Sequence, residues 1–245
     1  MRHYDKRDDF DYTPLVSKDS PQYKEIHYSD KWNSHWIMAP VGSLAYTQKD
    51  KLQKVFKDIG DGEGEAGKIT NKAEYHLYNA QGEETTIQVD QAGISDNADY
   101  TSKDDGLWWF AGLEAAALKM GGYFGLDHDK ITWGDPVKAF KMLTNEKATF
   151  EAVKDKDQLK KIFKRSKDIP VIMGTGQHSD DQLSLSKWSW YTILEYTGQG
   201  LKDSSDKVIS DGVRYWNSYK NDEDVIGFDS FYELCQEVVY LDSQS

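Results

Sequence analysis

Cysteine is almost missing from this sequence: Cys235 stands alone, so neither an internal disulfide nor a thiolate zinc cage can form. Small secreted disulfide scaffolds and zinc ribbons are thereby excluded, and a lone thiol favours a reducing compartment. Long apolar runs are missing too. No stretch approaches the roughly 18 residues that a membrane-spanning helix needs, and Met1 to Arg7 is followed by acids instead of an apolar segment. The sequence therefore predicts neither a transmembrane helix nor an export signal. Positive charge is in deficit, with 30 basic against 42 acidic residues and a net charge of −12. Such a surface repels a phosphate backbone, and no nucleic-acid partner is expected. The local exception, Lys160, Lys161, Lys164, Arg165 and Lys167, has the spacing of a solvated helix face.

What the chain does have is length and aromatics. Its 245 residues suffice for one large domain or two small ones sharing a core, and aromatic residues make up 13%. Residues 1–31 are polar and tyrosine-rich and read as an arm that lies on something. Trp36 to Ala45 is apolar and rich in small residues, which predicts a buried helix that starts late or bends at Pro40. Leu52, Val55 and Phe56 extend a helical apolar face. Asp58 to Gly67 is a glycine-rich acidic loop, but an EF-hand begun at Asp61 would need glycine at Ala66 and glutamate at Lys72. Alternating residues at 74–79 and 85–90 around Gly82 predict a hairpin. Leu107 to Met120 predicts a helix buried almost all round and stopped by Gly121-Gly122. Further helices are expected after Asp135-Pro136, over 156–166 and over 229–235, and strands at 170–174, 188–196, 212–217, 225–227 and 237–241. Trp188 and Trp190 would share one strand face. The plan is α+β, helices first and an antiparallel sheet last.

This order, with the segments His35-Trp36-Ile37-Met38-Ala39-Pro40-Val41-Gly42, Thr86 to Asp90, Leu107 to Tyr123, Ser189-Trp190-Tyr191-Thr192-Ile193-Leu194 and Val213 to Tyr219, resembles the papain-like core of the calpain family. There a catalytic cysteine heads the first buried helix, a strand carries the general-base histidine, and the next strand carries the asparagine that orients it. The resemblance implies an N-terminal arm at 1–31, a helical subdomain at 32–73 that corresponds to the cysteine-bearing half, and a β-rich subdomain at 74–245. It puts His35 at the cysteine position, Ser189 at the histidine position (Trp188 if the register slips by one), and Asn217 at the asparagine position. Calcium enters only by this resemblance, and no other cofactor is expected.

Thiol-protease chemistry needs a sulfur nucleophile, an imidazole sharing its proton and a group holding the ring. Here only the asparagine keeps its identity. Cys235 reads as a core residue on a late helix, and Ser34 beside His35 cannot easily point at its neighbour. His178, with Asp180 and Asp181, and His128, between Asp127 and Asp129, read as solvated loop histidines. The sequence thus points to a catalytically inactive calpain-like domain, an intracellular, cytoplasmic or cytoskeleton-associated component that binds protein partners through its arm and former cleft. Two other readings stand beside it: an unconventional hydrolase around His35, His178 and Asn217, and an unrelated α+β protein-binding domain.

Overall fold

A computed structural model describes residues 12–18, 21–28, 32–60, 69–95, 106–127, 129–177 and 185–242. The fold is α+β. After a 3-10 turn at Tyr23–Glu25 come helices α1 (His35–Thr47) and α2 (Lys49–Gln53). A three-stranded sheet follows, β1 (Phe56–Asp58), β2 (Lys72–Tyr78) and β3 (Glu84–Asp90), in the order β1-β2-β3. Next come α3 (Gln91–Ser95), α4 (Trp109–Met120), the small hairpin β4 (Leu126–Asp127) and β5 (Lys130–Ile131), and α5 (Pro136–Thr144). The remaining chain supplies β6 (Thr149–Ala152), α6 (Lys156–Phe163), β7 (Val171–Gly174), β8 (Trp190–Tyr196), the ribbon β9 (Leu201–Lys202) and β10 (Val208–Ile209), β11 (Gly212–Asn217), β12 (Asp222–Gly227), α7 (Phe228–Leu234) and β13 (Glu237–Tyr240). Six of these strands form an antiparallel sheet ordered β12-β11-β8-β7-β13-β6.

This sheet divides two apolar cores, because alternate side chains of a strand face opposite ways. Ile172, Leu194, Trp216 and Val239 point to the first core, shared with α1, α4, α5 and the small sheet. Val171, Met173, Tyr191, Tyr215 and Val238 point to the second, closed by Phe163 of α6 and by Phe228 and Phe231 of α7. A β-bulge interrupts the alternation in β8. Ile193 lies opposite Tyr215 and Glu195 opposite Arg214, leaving Leu194 as the extra residue, so Tyr196 returns to the second core. The first core draws on residues from Leu15 to Leu241, and residues 73 and 74 both lie within β2.

Helix α1 does not start late. It begins at His35 and continues through Pro40, which has no N–H to offer the Trp36 carbonyl. Its small residues let it lie on the sheet: a Cβ on Gly42 would sit 2.7 Å from the Trp216 ring, and Thr192 Oγ1 donates to the Ala39 carbonyl at 2.9 Å. The apolar face expected to continue through Phe56 breaks, because α2 ends at Gln53 and Phe56 opens β1. The expected hairpin forms with β2 and β3 in continuous register, and Asp135 caps α5 by accepting the Val137 N–H. Helix α6 ends at Phe163, short of Ser166. The basic residues of α6 and of the turn after it reach acids: Lys160 pairs with Asp211, Arg165 with Asp242 and Lys167 with Glu195. Trp188 precedes β8 instead of lying in it, with φ of 53°, so it and Trp190 do not share a strand face.

The described part of the arm lies on the chain's own body. Ile26 is fully buried, Trp109 Nε1 donates to Glu25 at 3.0 Å, and the Tyr23 hydroxyl donates to Glu223 at 2.5 Å. Lys24 pairs with the same Glu223. The acidic segment 61–68, His128 and His178 with Asp180 and Asp181 lie outside the described residues.

Candidate functional site

Of the three positions singled out by the resemblance, two come together and the third lies at the same end of the sheet. His35 is the first residue of α1, Ser189 immediately precedes β8, and Asn217 ends β11, the strand beside β8. Packing α1 across β8 brings the helix start to the sheet end where the other two sit. All three are buried, at 2%, 2% and 3% exposure.

What joins them is Tyr219, in the turn after β11. Its hydroxyl is 2.7 Å from Ser189 Oγ, 2.8 Å from His35 Nδ1 and 3.1 Å from Nε2, and its N–H donates to Asn217 Oδ1 at 3.1 Å. The protons can be assigned along this chain. Ser189 donates its own to the Lys187 carbonyl at 2.9 Å, so Tyr219 donates to Ser189 and the facing His35 nitrogen donates to Tyr219. The imidazole thus meets the tyrosine and not the serine directly, unlike a general base facing a nucleophile. Burial reinforces the neutral state, taking His35 down from its ordinary 6.5 to about 4 and pushing the Tyr219 phenol well up. Thr175 Oγ1 accepts the Ser189 N–H and holds the serine in place.

Aromatic rings enclose the imidazole. Tyr28 stacks on it at 5.8 Å, Tyr219 lies at 5.0 Å, and Trp133 meets it edge-on at 5.6 Å. Tyr28 also lies 4.5 Å from Tyr219, so the end of the N-terminal arm covers the centre. Trp133 and Trp188 remain about half exposed at its rim.

The thiol is elsewhere. Cys235 is buried in the second core, its Sγ faces the Glu237 carbonyl, and burial pushes its pKa well up, as for an inert core cysteine. Ser34, the residue before α1, is fully buried and its hydroxyl makes no hydrogen bond among the described residues. Among the described residues no three His, Cys, Asp or Glu side chains gather in a metal-holding group, and no helix is long and apolar enough to cross a membrane. Sequence reasoning missed Tyr219, Tyr28 and Trp133. No local sequence pattern marks them, because their roles depend on contacts made across the fold. No protein-family model matches the chain, and no curated protein matches it.

Proposed function

We propose that the chain is a catalytically inactive calpain-like domain with a papain-like core, retained as a protein-binding or structural component of a larger assembly. One observation carries this reading. His35 and Ser189 meet through the Tyr219 hydroxyl at the end of the six-stranded sheet where Asn217 closes β11, the end at which the resemblance would put a catalytic triad, and Asn217 itself engages the Tyr219 N–H. Their convergence supports the ancestry, and their chemistry supports the loss of activity. The centre has no thiol, its imidazole is neutral and hydrogen-bonded inward, and Tyr28 closes it from outside. The alternative hydrolase reading would need an accessible nucleophile beside a free imidazole lone pair, and that network uses both groups internally.

The test compares the intact protein with His35→Ala against a fluorogenic peptide library and a small activated ester. Both proteins should give the rate of the buffer alone. Turnover by the parent that His35→Ala abolishes would establish the hydrolase instead. The same samples pulled down with a defined partner should bind equally well if the domain is structural.

A further inference from the structure

Against the net charge of −12, positive charge gathers at one place in the fold. A cleft of about 660 Å³ opens between α2, β1 and the end of α5, and Lys51, Lys54, Lys57 and His76 all line it. Its size falls in the range of small-molecule sites, about 300–1,000 Å³. Two carboxylates line it as well, and each is already engaged: Glu146 by Lys51, and Glu84 by His76 Nδ1 at 3.3 Å and the Tyr78 hydroxyl at 3.4 Å. Glu74, opposite Lys57 on β2, accepts from Gln88 Nε2 at 3.0 Å. Lys54 and Lys57 are left over, and among the described residues neither forms an ion pair. These two lysines flank Val55 and Phe56, both buried, so the backbone between them is tied to the core. The Phe56 ring stacks on Trp109 at 5.6 Å, and the Val55 carbonyl accepts the His76 N–H at 2.7 Å. Val55 and Leu143 also give the cleft apolar lining, and Tyr78 an aromatic one.

We propose that this cleft binds a small organic phosphate monoester, its phosphate held by Lys54 and Lys57 and its organic part against Val55, Leu143 and Tyr78. A phosphate dianion suits two spare ammonium groups because it presents three oxygens that accept charge-assisted hydrogen bonds, and lysine meets phosphate as a point charge. A carboxylate monoanion would leave one ammonium unmatched. The low-dielectric walls of a cleft concentrate the field of the cations that line it, which strengthens the attraction. None of the lining residues belongs to the network around Tyr219, so the proposal goes beyond the reading of that centre and does not depend on it.

The experiment titrates the full chain with phenyl phosphate by calorimetry in about 0.15 M salt, at about pH 7.5, above the second phosphate pKa of about 6. Saturable one-to-one binding is expected. Lys54→Gln and Lys57→Gln should each weaken it about tenfold, whereas Lys161→Gln, on the exposed face of α6, should leave it unchanged. All three change exposed side chains, so the fold is kept. Inorganic phosphate should bind about tenfold more weakly than the ester, and only the ester should move the methyl NMR signals of Val55 and Leu143. Absent saturation overturns the proposal. So does equal weakening by Lys161→Gln, which would mean diffuse attraction to lysines, and so does equal affinity for inorganic phosphate, which would mean a bare anion patch.

Discussion

His35 shows how one buried side chain ties folding to pH. In the folded state it stays neutral down to about pH 4, whereas in the unfolded chain it takes up its proton near 6.5. The unfolded state therefore binds more protons between those values, and stability contributed by the neutral ring is complete above pH 6.5 and is lost as the pH falls to 4. A shift of this size corresponds to about 3 kcal/mol. His35→Gln keeps a partner for Tyr219 but cannot titrate, so its denaturation midpoint should depend less steeply on pH between 6.5 and 4 than the parent's. Parallel pH profiles would show that His35 is not the titrating group. Tyr219 is the complementary case. Tyr219→Phe removes the oxygen between His35 and Ser189 and leaves a buried ring N–H without its acceptor, which should cost about 1–3 kcal/mol in urea denaturation. A loss near zero would mean that the hydroxyl is not the link.

At the scale of elements, the helix-to-sheet contact decides whether a site exists at all. Gly42 lets α1 approach β8 and β11, because an added methyl would meet Trp216 at 2.7 Å and Thr192 Oγ1 at 3.0 Å. In an isolated helix Gly→Ala gains about 1 kcal/mol. Here overpacking against a fully buried indole costs about 1–3 kcal/mol, so Gly42→Ala should lower the melting temperature, and a higher one would contradict the tight approach. This element was legible in the sequence, since an unbroken apolar run with small residues has few other fates. So were the β2–β3 hairpin, the Asp135 cap and α4, each written in local turn or capping chemistry. What was not legible depended on long-range pairing. Phe56 could leave its helical pattern because β2 offered a strand partner, Trp188 is set by the Gly176 carbonyl instead of the β8 alternation, and the bulge at Leu194 reflects its neighbour β11. The sequence marked His35, Ser189 and Asn217 as candidates, and the structure joins the first two through Tyr219. Tyr219 itself was not legible, because no local pattern marks a turn residue whose hydroxyl bonds to a helix start far away in the sequence.

For the whole molecule, the central feature is that one sheet serves two cores. Five tryptophans, Trp32, Trp36, Trp108, Trp109 and Trp216, are buried in the first core, whereas the second is packed by phenylalanine and tyrosine. No tryptophan is buried in the second core among the described residues, so tryptophan fluorescence reports mainly on the first side of the sheet, with Trp133 and Trp188 half in solvent. Because β7, β8 and β13 alternate between the sides, loss of packing in the second core removes half the support of each strand, and the strands carrying Ile172, Leu194 and Val239 into the first core lose their register. The two cores should unfold together. Phe231→Ala empties a fully buried ring site that contacts Phe163 and Tyr215, at a cost of about 3–5 kcal/mol. It should shift the tryptophan transition and the far-ultraviolet circular dichroism transition to the same lower denaturant concentration. A tryptophan midpoint that stays put while the circular dichroism signal is lost earlier would show that the first core stands without the second, and that the sheet does not transmit stability between its faces.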